Sequence, residues 1–199
     1  MTIRYSTVGI VGTGAMGRGI AQIAAQAGST VQLFDLNPEA CRQAHAAIAA
    51  QWDKLQDKGR IDAATADAYK TRLQTAASLG DLHNCDLVLE AAVERLDIKQ
   101  SLFAQLEDIV RPDAVLVTNT SSLSVTAIAA GLKRPAQFAG YHFFNPVPLM
   151  KVVEVIAGLK TDAAVCAGLT EYARQMGHTP VQAQDTPGFI VNHAGRAYG

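Results

Sequence analysis

His142 stands in an aromatic stretch, Tyr141-His142-Phe143-Phe144-Asn145-Pro146, and Glu154 follows twelve positions later with Pro148 midway between them. If the segments on either side of that turn pair antiparallel, the two side chains become near cross-strand partners. A carboxylate on one imidazole nitrogen fixes the tautomer and stabilises the imidazolium, leaving the other nitrogen to take a proton from a hydroxyl. Oxidising an alcohol without a metal requires such a base, and an unperturbed histidine pKa of about 6.5 lets it accept and return the proton. Read alone, a histidine in such a stretch is more often a satisfied core residue than a catalyst. A second polar cluster, Asn119-Thr120-Ser121-Ser122, follows an apolar run ending at Thr118; it reads either as a site lining or as a turn before Ser124 caps a helix.

The partner for that chemistry is suggested near the start of the chain. Val8-Gly9-Ile10-Val11 runs into Gly12-Thr13-Gly14-Ala15-Met16-Gly17 and then into helix-forming residues through Ala27. In this strand-to-helix setting Gly12 allows a tight turn, Gly14 lets the backbone approach a pyrophosphate, and Gly17 lets helix and strand pack closely. A second apolar strand, Thr30–Phe34, ends in Asp35, eighteen residues after Gly17, where an acid can accept hydrogen bonds from the adenosine ribose. Positions 36 to 38 hold no arginine for a ribose phosphate, so the expected cofactor is NAD(H) rather than NADP(H). Asp35 could also simply help start the helix at Asn37-Pro38.

The elements that must position these groups alternate between strand and helix, the signature of an α/β, Rossmann-type doubly wound, mostly parallel sheet. Asn37-Pro38 opens a helix to about Lys58, closed by Gly59, and Asp62 caps a short one. Strands are expected at Arg72–Thr75, Asp86–Glu90 and Ala114–Thr118, with a helix from a capping box at Asp97–Gln100 to about Val110. Additional C-terminal strands follow at Phe138–Phe143 and Val152–Ile156, then a helix from Asp162 to Met176 and a strand near Thr179–Ala183. The 199 residues are 49% hydrophobic, enough for one sizeable core, and the net charge of -1 leaves no footprint for nucleic acid or an anionic membrane. Cys41, Cys85 and Cys166 are far apart and outside any CxxC pattern, which points to small core residues rather than disulfides or metal ligands. Met1–Tyr5 leads straight into the first strand and no apolar run could span a bilayer, so the expected location is cytoplasmic.

In these residues the sequence closely resembles the L-3-hydroxyacyl-CoA dehydrogenase family. The matching stretches are Gly12 to Gly17 with Asp35, Glu90-Ala91-Ala92-Val93-Glu94, Asn119 to Leu123, His142 to Pro148, and Asp185 to Asn192. The resemblance implies NAD-linked, reversible oxidation of an L-3-hydroxyacyl-CoA to the 3-ketoacyl-CoA. It makes His142 the catalytic base, Glu154 the acid that orients it, Ser121 the hydroxyl between substrate and cofactor, and Asn192 the amide that holds the substrate. Gly12, Thr13, Gly14, Ala15, Met16, Gly17 and Asp35 would bind the cofactor, with Glu94, Lys99, Asn119, Ser121 and Asn145 around it. Lys58 falls where the family has a lysine for the CoA phosphates, while Gln51 occupies a position that is serine in the best-known members. From the residues alone, Lys54 and Lys58 read first as a solvated helix face.

The same resemblance divides the chain into an NAD-binding and catalytic domain, residues 1–186, and the start of a helical domain, residues 187–199, which in the family continues much further and forms a homodimer. His193 to Tyr198 is similar to longer bacterial relatives that degrade aromatic compounds, whose substrates are 3-hydroxy-dicarboxylyl-CoA thioesters. Two rival readings stand beside this one. The 3-hydroxyacid dehydrogenases of short branched acids share the first domain but place a lysine where Asn192 stands. A non-catalytic NAD(H)-binding module, crystallin-like in role, would share the fold without the reaction.

Overall fold

The computed structural model describes residues 2–186 and 188–190. In chain order the elements are β1 (Thr7–Val11), α1 (Ala15–Ala27), β2 (Thr30–Phe34), α2 (Pro38–Asp57), α3 (Ala63–Arg72), β3 (Leu73–Thr75), a 3-10 turn (Leu79–Asn84) and β4 (Leu87–Glu90). Then come α4 (Leu96–Ile109), β5 (Val115–Thr118), α5 (Val125–Ala129), β6 (Phe138–Phe143), β7 (Val152–Ala157), α6 (Ala163–Gln175) and β8 (Thr179–Gln184). The strands form one sheet in the order β3-β2-β1-β4-β5-β6-β7-β8. Every pairing is parallel except β6 with β7, so the last two strands run against the rest.

Period-two alternation sorts the side chains of each strand onto two faces. On one face Ile10, Leu89, Val117, Tyr141 and Val155 pack under α1, α2 and α6, against Ile20, Trp52 and Leu169. On the other Val88, Leu116, Phe138 and Ile156 meet Phe103 and Leu106 of α4 and Ile128 of α5. His142 and Glu154 occupy even-numbered positions of β6 and β7, so both lie on the α4 and α5 face. The antiparallel register sets them directly opposite each other, as the spacing about Pro148 predicts.

Helix boundaries follow the local chemistry with one exception. Asn37 caps α2 by accepting from the Glu39 N–H, Pro38 takes the first position where no N–H is needed, and Gly59 turns the chain away at φ +63°. Asp62 and Asp162 cap α3 and α6 in the same manner. The expected capping box at Asp97–Gln100 is not what opens α4: the helix begins at Leu96, and Asp97 lies in its first turn, paired with Arg95 at 2.6 Å. Gln100 is drawn away to donate to the Ala127 carbonyl, tying α4 to α5. The strand expected at Asp86 starts one residue later, at Leu87, and the Asp86 carboxylate accepts from the Thr7 N–H and from Arg111. Cys41 and Cys85 are buried in the core and burial pushes the Cys85 thiol up to about 12, whereas Cys166 is half-buried. Among the described residues no helix is long and apolar enough to cross a membrane.

Candidate active site

The sheet reverses its winding between β1 and β4, and the loops leaving these two strands are pressed together at their carboxyl ends, the place where open α/β sheets bind ligands. Gly12 sits at φ +94°, and a Cβ there would come within 2.7 Å of the Ala91 carbonyl oxygen. A Cβ on Gly17 would lie 1.9 Å from the Gly12 oxygen, so α1 can approach its own loop only with glycine at that position. Around Gly14, by contrast, the space is open, and no side chain caps the helix that begins there. The result is a helix N-terminus with backbone access for an anionic group, which fits the pyrophosphate of a dinucleotide. Gly17→Ala is expected to cost about 1–3 kcal/mol of stability through overpacking and to weaken NADH binding, measured by thermal unfolding and by fluorescence titration. Unchanged values in both would show that the loop relaxes freely.

Asp35 closes the outer end of this cradle. Its Oδ2 accepts from the Thr13 N–H at 2.8 Å and the Thr13 hydroxyl at 2.9 Å, and its Oδ1 accepts from the Asn37 N–H. Burial acts to raise the Asp35 carboxyl, but the N–H groups of Asn37 and Thr13 outweigh it and hold the group below its ordinary range. Asp35 therefore both starts the segment before α2 and presents an ionised oxygen to the cleft. That cleft, about 710 Å3, is lined by Gly12, Gly14, Asp35, Leu36, Val93 and Ile98 and suits an adenosine half.

A second cleft of about 430 Å3 shares Ala91 and Ala92 with the first, and Met16, Glu94, Asn119, Ser121, His142 and Asn145 line it. Here His142 Nδ1 lies 2.7 Å from Glu154 Oε2; His142 is 5% exposed and Glu154 0%. With Nδ1 held by the carboxylate, Nε2 is the nitrogen left for the cleft. The imidazole is flanked by Phe144 and Phe189, with ring centroids 4.5 and 5.7 Å away. The other oxygen of Glu154 accepts from the Ile190 N–H at 3.0 Å.

The wall opposite is built around Glu94, whose Oε1 accepts from the Thr120 hydroxyl, the Ser121 N–H at 2.9 Å and the Ser122 N–H at 3.2 Å. Burial acts to raise this carboxyl, yet the Thr120 hydroxyl, the Ser121 N–H and the charge on Lys99 together hold it below its usual range. Asn119 accepts from the Phe143 N–H through its side-chain oxygen, so the loop after β5 is fastened to β6 one residue beyond His142.

Lys99, expected around the cofactor, is buried behind Glu94. It is 1% exposed and lines neither cleft; its ammonium lies 2.5 Å from Glu90 Oε1 and 3.4 Å from Glu94 Oε2. Glu90, itself fully buried, also accepts from the Ala92 N–H and the Thr118 hydroxyl. Lys99 thus acts on the cleft through Glu94. The reading of the sequence gave Glu90 no role, although a carboxylate closing the apolar strand Leu87–Glu90 was the signal for a buried partner.

Other expected residues are placed less centrally. Gln51 lines a third cleft, about 410 Å3, with Ala15, Arg18, Gly19, Asn145 and Pro148, and Asn145 is common to this cleft and to that of His142. Lys58 is exposed at the far end of α2 and lines none of the three. Asn192 lies outside the described residues, as do 187 and 191–199. Two residues of the stretch Asp185 to Asn192, given no individual role in the sequence, contribute here. Asp185 accepts from the Ser124 hydroxyl and from the N–H groups of Val125 and Thr126 at the start of α5, and Phe189 packs on His142.

Comparison with known proteins adds to this geometry. Residues 7–186 match the model of the 3-hydroxyacyl-CoA dehydrogenase NAD binding domain. The chain is 46% identical over 198 residues to 3-hydroxyadipyl-CoA dehydrogenase of Escherichia coli K12, which covers 100% of this chain and 42% of that protein. It is 44% identical over 187 residues to a probable 3-hydroxybutyryl-CoA dehydrogenase of Deinococcus radiodurans, covering 92% of this chain and 66% of the relative. The crystal structure of 3-hydroxybutyryl-CoA dehydrogenase from Escherichia coli K12 superposes with a TM-score of 0.95 at 45% identity, over 98% of this chain and 41% of the other. The chain therefore spans from about two fifths to two thirds of the length of these relatives.

Proposed function

This chain belongs to the 3-hydroxyacyl-CoA dehydrogenase family, and from that premise we propose that the protein catalyses the reversible, NAD-dependent oxidation of an L-3-hydroxyacyl-CoA to the 3-ketoacyl-CoA. The observation that carries this reading is the His142–Glu154 pair, opening into a cleft continuous with the glycine cradle. NAD, when bound, supplies the acceptor for the hydride leaving C3. His142 removes the hydroxyl proton through Nε2 and returns it in the reverse direction, while Glu154 holds the ring and stabilises its charged form. Ser121, held by Glu94 through its N–H at 2.9 Å and its hydroxyl at 3.5 Å, lines the same cleft and is assigned the contact between substrate and cofactor by resemblance. Asn119 and Asn145 line the same cleft around the nicotinamide, and Asn192 is assigned the substrate by resemblance. Gln51, beside the cleft that Asn145 joins to the site, and Lys58 further along α2 are assigned the CoA end.

The test is loss of NADH absorbance on adding acetoacetyl-CoA at high protein concentration. Turnover supports the reading; its absence, with NADH still bound, would favour a non-catalytic NAD(H)-binding module. For the nucleotide, the expected result is a dissociation constant for NADH at least tenfold below that for NADPH. Asp35 repels a 2′-phosphate, and Leu36, Asn37 and Pro38 offer it no cation. Tighter NADPH binding would overturn the assignment. A dicarboxylyl substrate is a narrower form of the same proposal, supported by the 46% identity to a 3-hydroxyadipyl-CoA dehydrogenase. Faster turnover of 3-oxoadipyl-CoA than of acetoacetyl-CoA is then expected, and the reverse order would remove it. A cytoplasmic homodimer belongs to the proposal through the same resemblance, with size-exclusion chromatography coupled to light scattering as the check on the dimer.

A further inference from the structure

Beyond β8 the chain turns back to reach His142 of β6 and Glu154 of β7. Thr186 and Phe189 close this turn through the Phe189 N–H to the Thr186 carbonyl, 2.9 Å, and Gly188 takes φ +78°. Phe189 itself stands at φ +50°, the one described residue other than glycine with positive φ. A bulky side chain holds that conformation only where its surroundings over-determine it, at a cost of roughly 1–3 kcal/mol. Two contacts do so here. The Phe189 ring is 3% exposed, packed with the α4 and α5 core and 5.7 Å from the His142 ring, and the next residue, Ile190, donates its N–H to Glu154 Oε1. The turn is anchored upstream as well, because Asp185 grips the N-terminus of α5 with both carboxylate oxygens.

We infer that the turn Gly188–Ile190 is a positioning element for the proton-transferring pair: the Phe189 ring seals His142 from water, and the Ile190 N–H fixes the plane of the Glu154 carboxylate. This rests on the reading of His142 as the base. The two effects act on the imidazole in the same direction. A hydrogen bond to the second oxygen of Glu154 withdraws charge from the oxygen facing Nδ1, and a ring that excludes water disfavours the charged imidazolium. Losing either raises the affinity of His142 for its proton. Among the described residues, the titratable groups arrayed around His142 are Glu154 from β7 and Glu94 across the cleft, with Lys99 of α4 behind Glu94. β8 sets Val181 beside Glu154, Asp185 is engaged at α5, and residues 188–190 bring no charge of their own. A change made at Phe189 therefore reaches the imidazole through packing and the Glu154 hydrogen bond.

The experiment is an NMR titration of the His142 imidazole in the whole protein and in its Phe189→Ala and Phe189→Leu variants, each first shown to unfold cooperatively. The expected result is an upward shift of the His142 midpoint by about half a pH unit or more in Phe189→Ala, smaller in Phe189→Leu, which keeps an apolar side chain over the ring. In the oxidation direction the acid limb of kcat/KM moves up by the same amount and kcat falls about tenfold, with KM for NAD unchanged. If Phe189→Ala does not fold, Phe189→Leu is read by the same midpoint. A His142 midpoint unmoved in the variant that folds overturns the inference, whatever happens to kcat. Failure of the functional reading would look different: wild-type protein without acetoacetyl-CoA turnover but with the shifted imidazole titration.

Discussion

His142→Ala is expected to lower turnover of acetoacetyl-CoA by about 10²- to 10⁴-fold, the range for removing a positioned general base, while NADH affinity stays nearly intact. The separation of the two effects follows from geometry. The residues proposed for the nucleotide, Gly12, Gly14 and Asp35, line the first cleft, whereas His142 lines only the second, which meets the first at Ala91 and Ala92. The substitution also leaves Glu154, fully buried, without its imidazole partner. Some loss of stability is therefore expected in the same variant, and thermal unfolding separates it from the loss of chemistry. Glu154→Gln is the informative companion: its amide oxygen can still meet Nδ1–H, but the charge that stabilises an imidazolium is gone. Equal losses of turnover and NADH affinity in His142→Ala would identify a structural histidine and set the dehydrogenase mechanism aside.

Lys99→Met is expected to be the most destabilising of the site substitutions. Glu90 and Lys99 are both withdrawn from water and lie 2.5 Å apart, so removing the cation strands a carboxylate at the end of β4 that, among the described residues, keeps the Ala92 N–H and the Thr118 hydroxyl as donors. Breaking a buried pair from one side costs about 3–5 kcal/mol, which for a chain of this size lowers Tm by about 10 °C. The double substitution Glu90→Gln with Lys99→Met removes both charges and should recover a large part of that loss. Since Lys99 also reaches Glu94, which in turn holds the N–H groups of Ser121 and Ser122, NADH binding should weaken alongside. A Tm within a degree or two of wild type would show that Glu90 takes up a proton at no cost, and that the pair is not what fastens this wall.

Much of this molecule is written in local pattern. The cradle from Gly12 to Gly17 is legible because its glycines answer to the backbone of their own strand-to-helix turn: a Cβ at 17 would strike the oxygen at 12, five residues away. Helix starts at Asn37, Asp62 and Asp162 were equally open to reading, since a cap bonds to N–H groups two or three residues on. Even the meeting of His142 with Glu154 could be foreseen, because a turn centred on Pro148 and a side-chain period of two leave one register that pairs them. Where a local rule met a competing partner it failed, as at Asp97, paired with its near neighbour Arg95, and at Gln100, drawn to the distant Ala127 carbonyl.

What only the tertiary structure decided is how groups far apart in the chain share one site. The resemblance sets Lys99 among the groups around the cofactor; its burial depends on how α4 settles over β4, and that places Glu94 between it and the cleft. Nothing in the neighbourhood of Phe189 predicts a ring laid on a histidine 47 residues earlier, or an N–H of the next residue given to Glu154. The reason is physical: propensities, caps and alternation are set by neighbours along the chain, whereas burial of a charge and the closing of a cleft arise from the packing of strands and helices that meet only once the sheet has assembled.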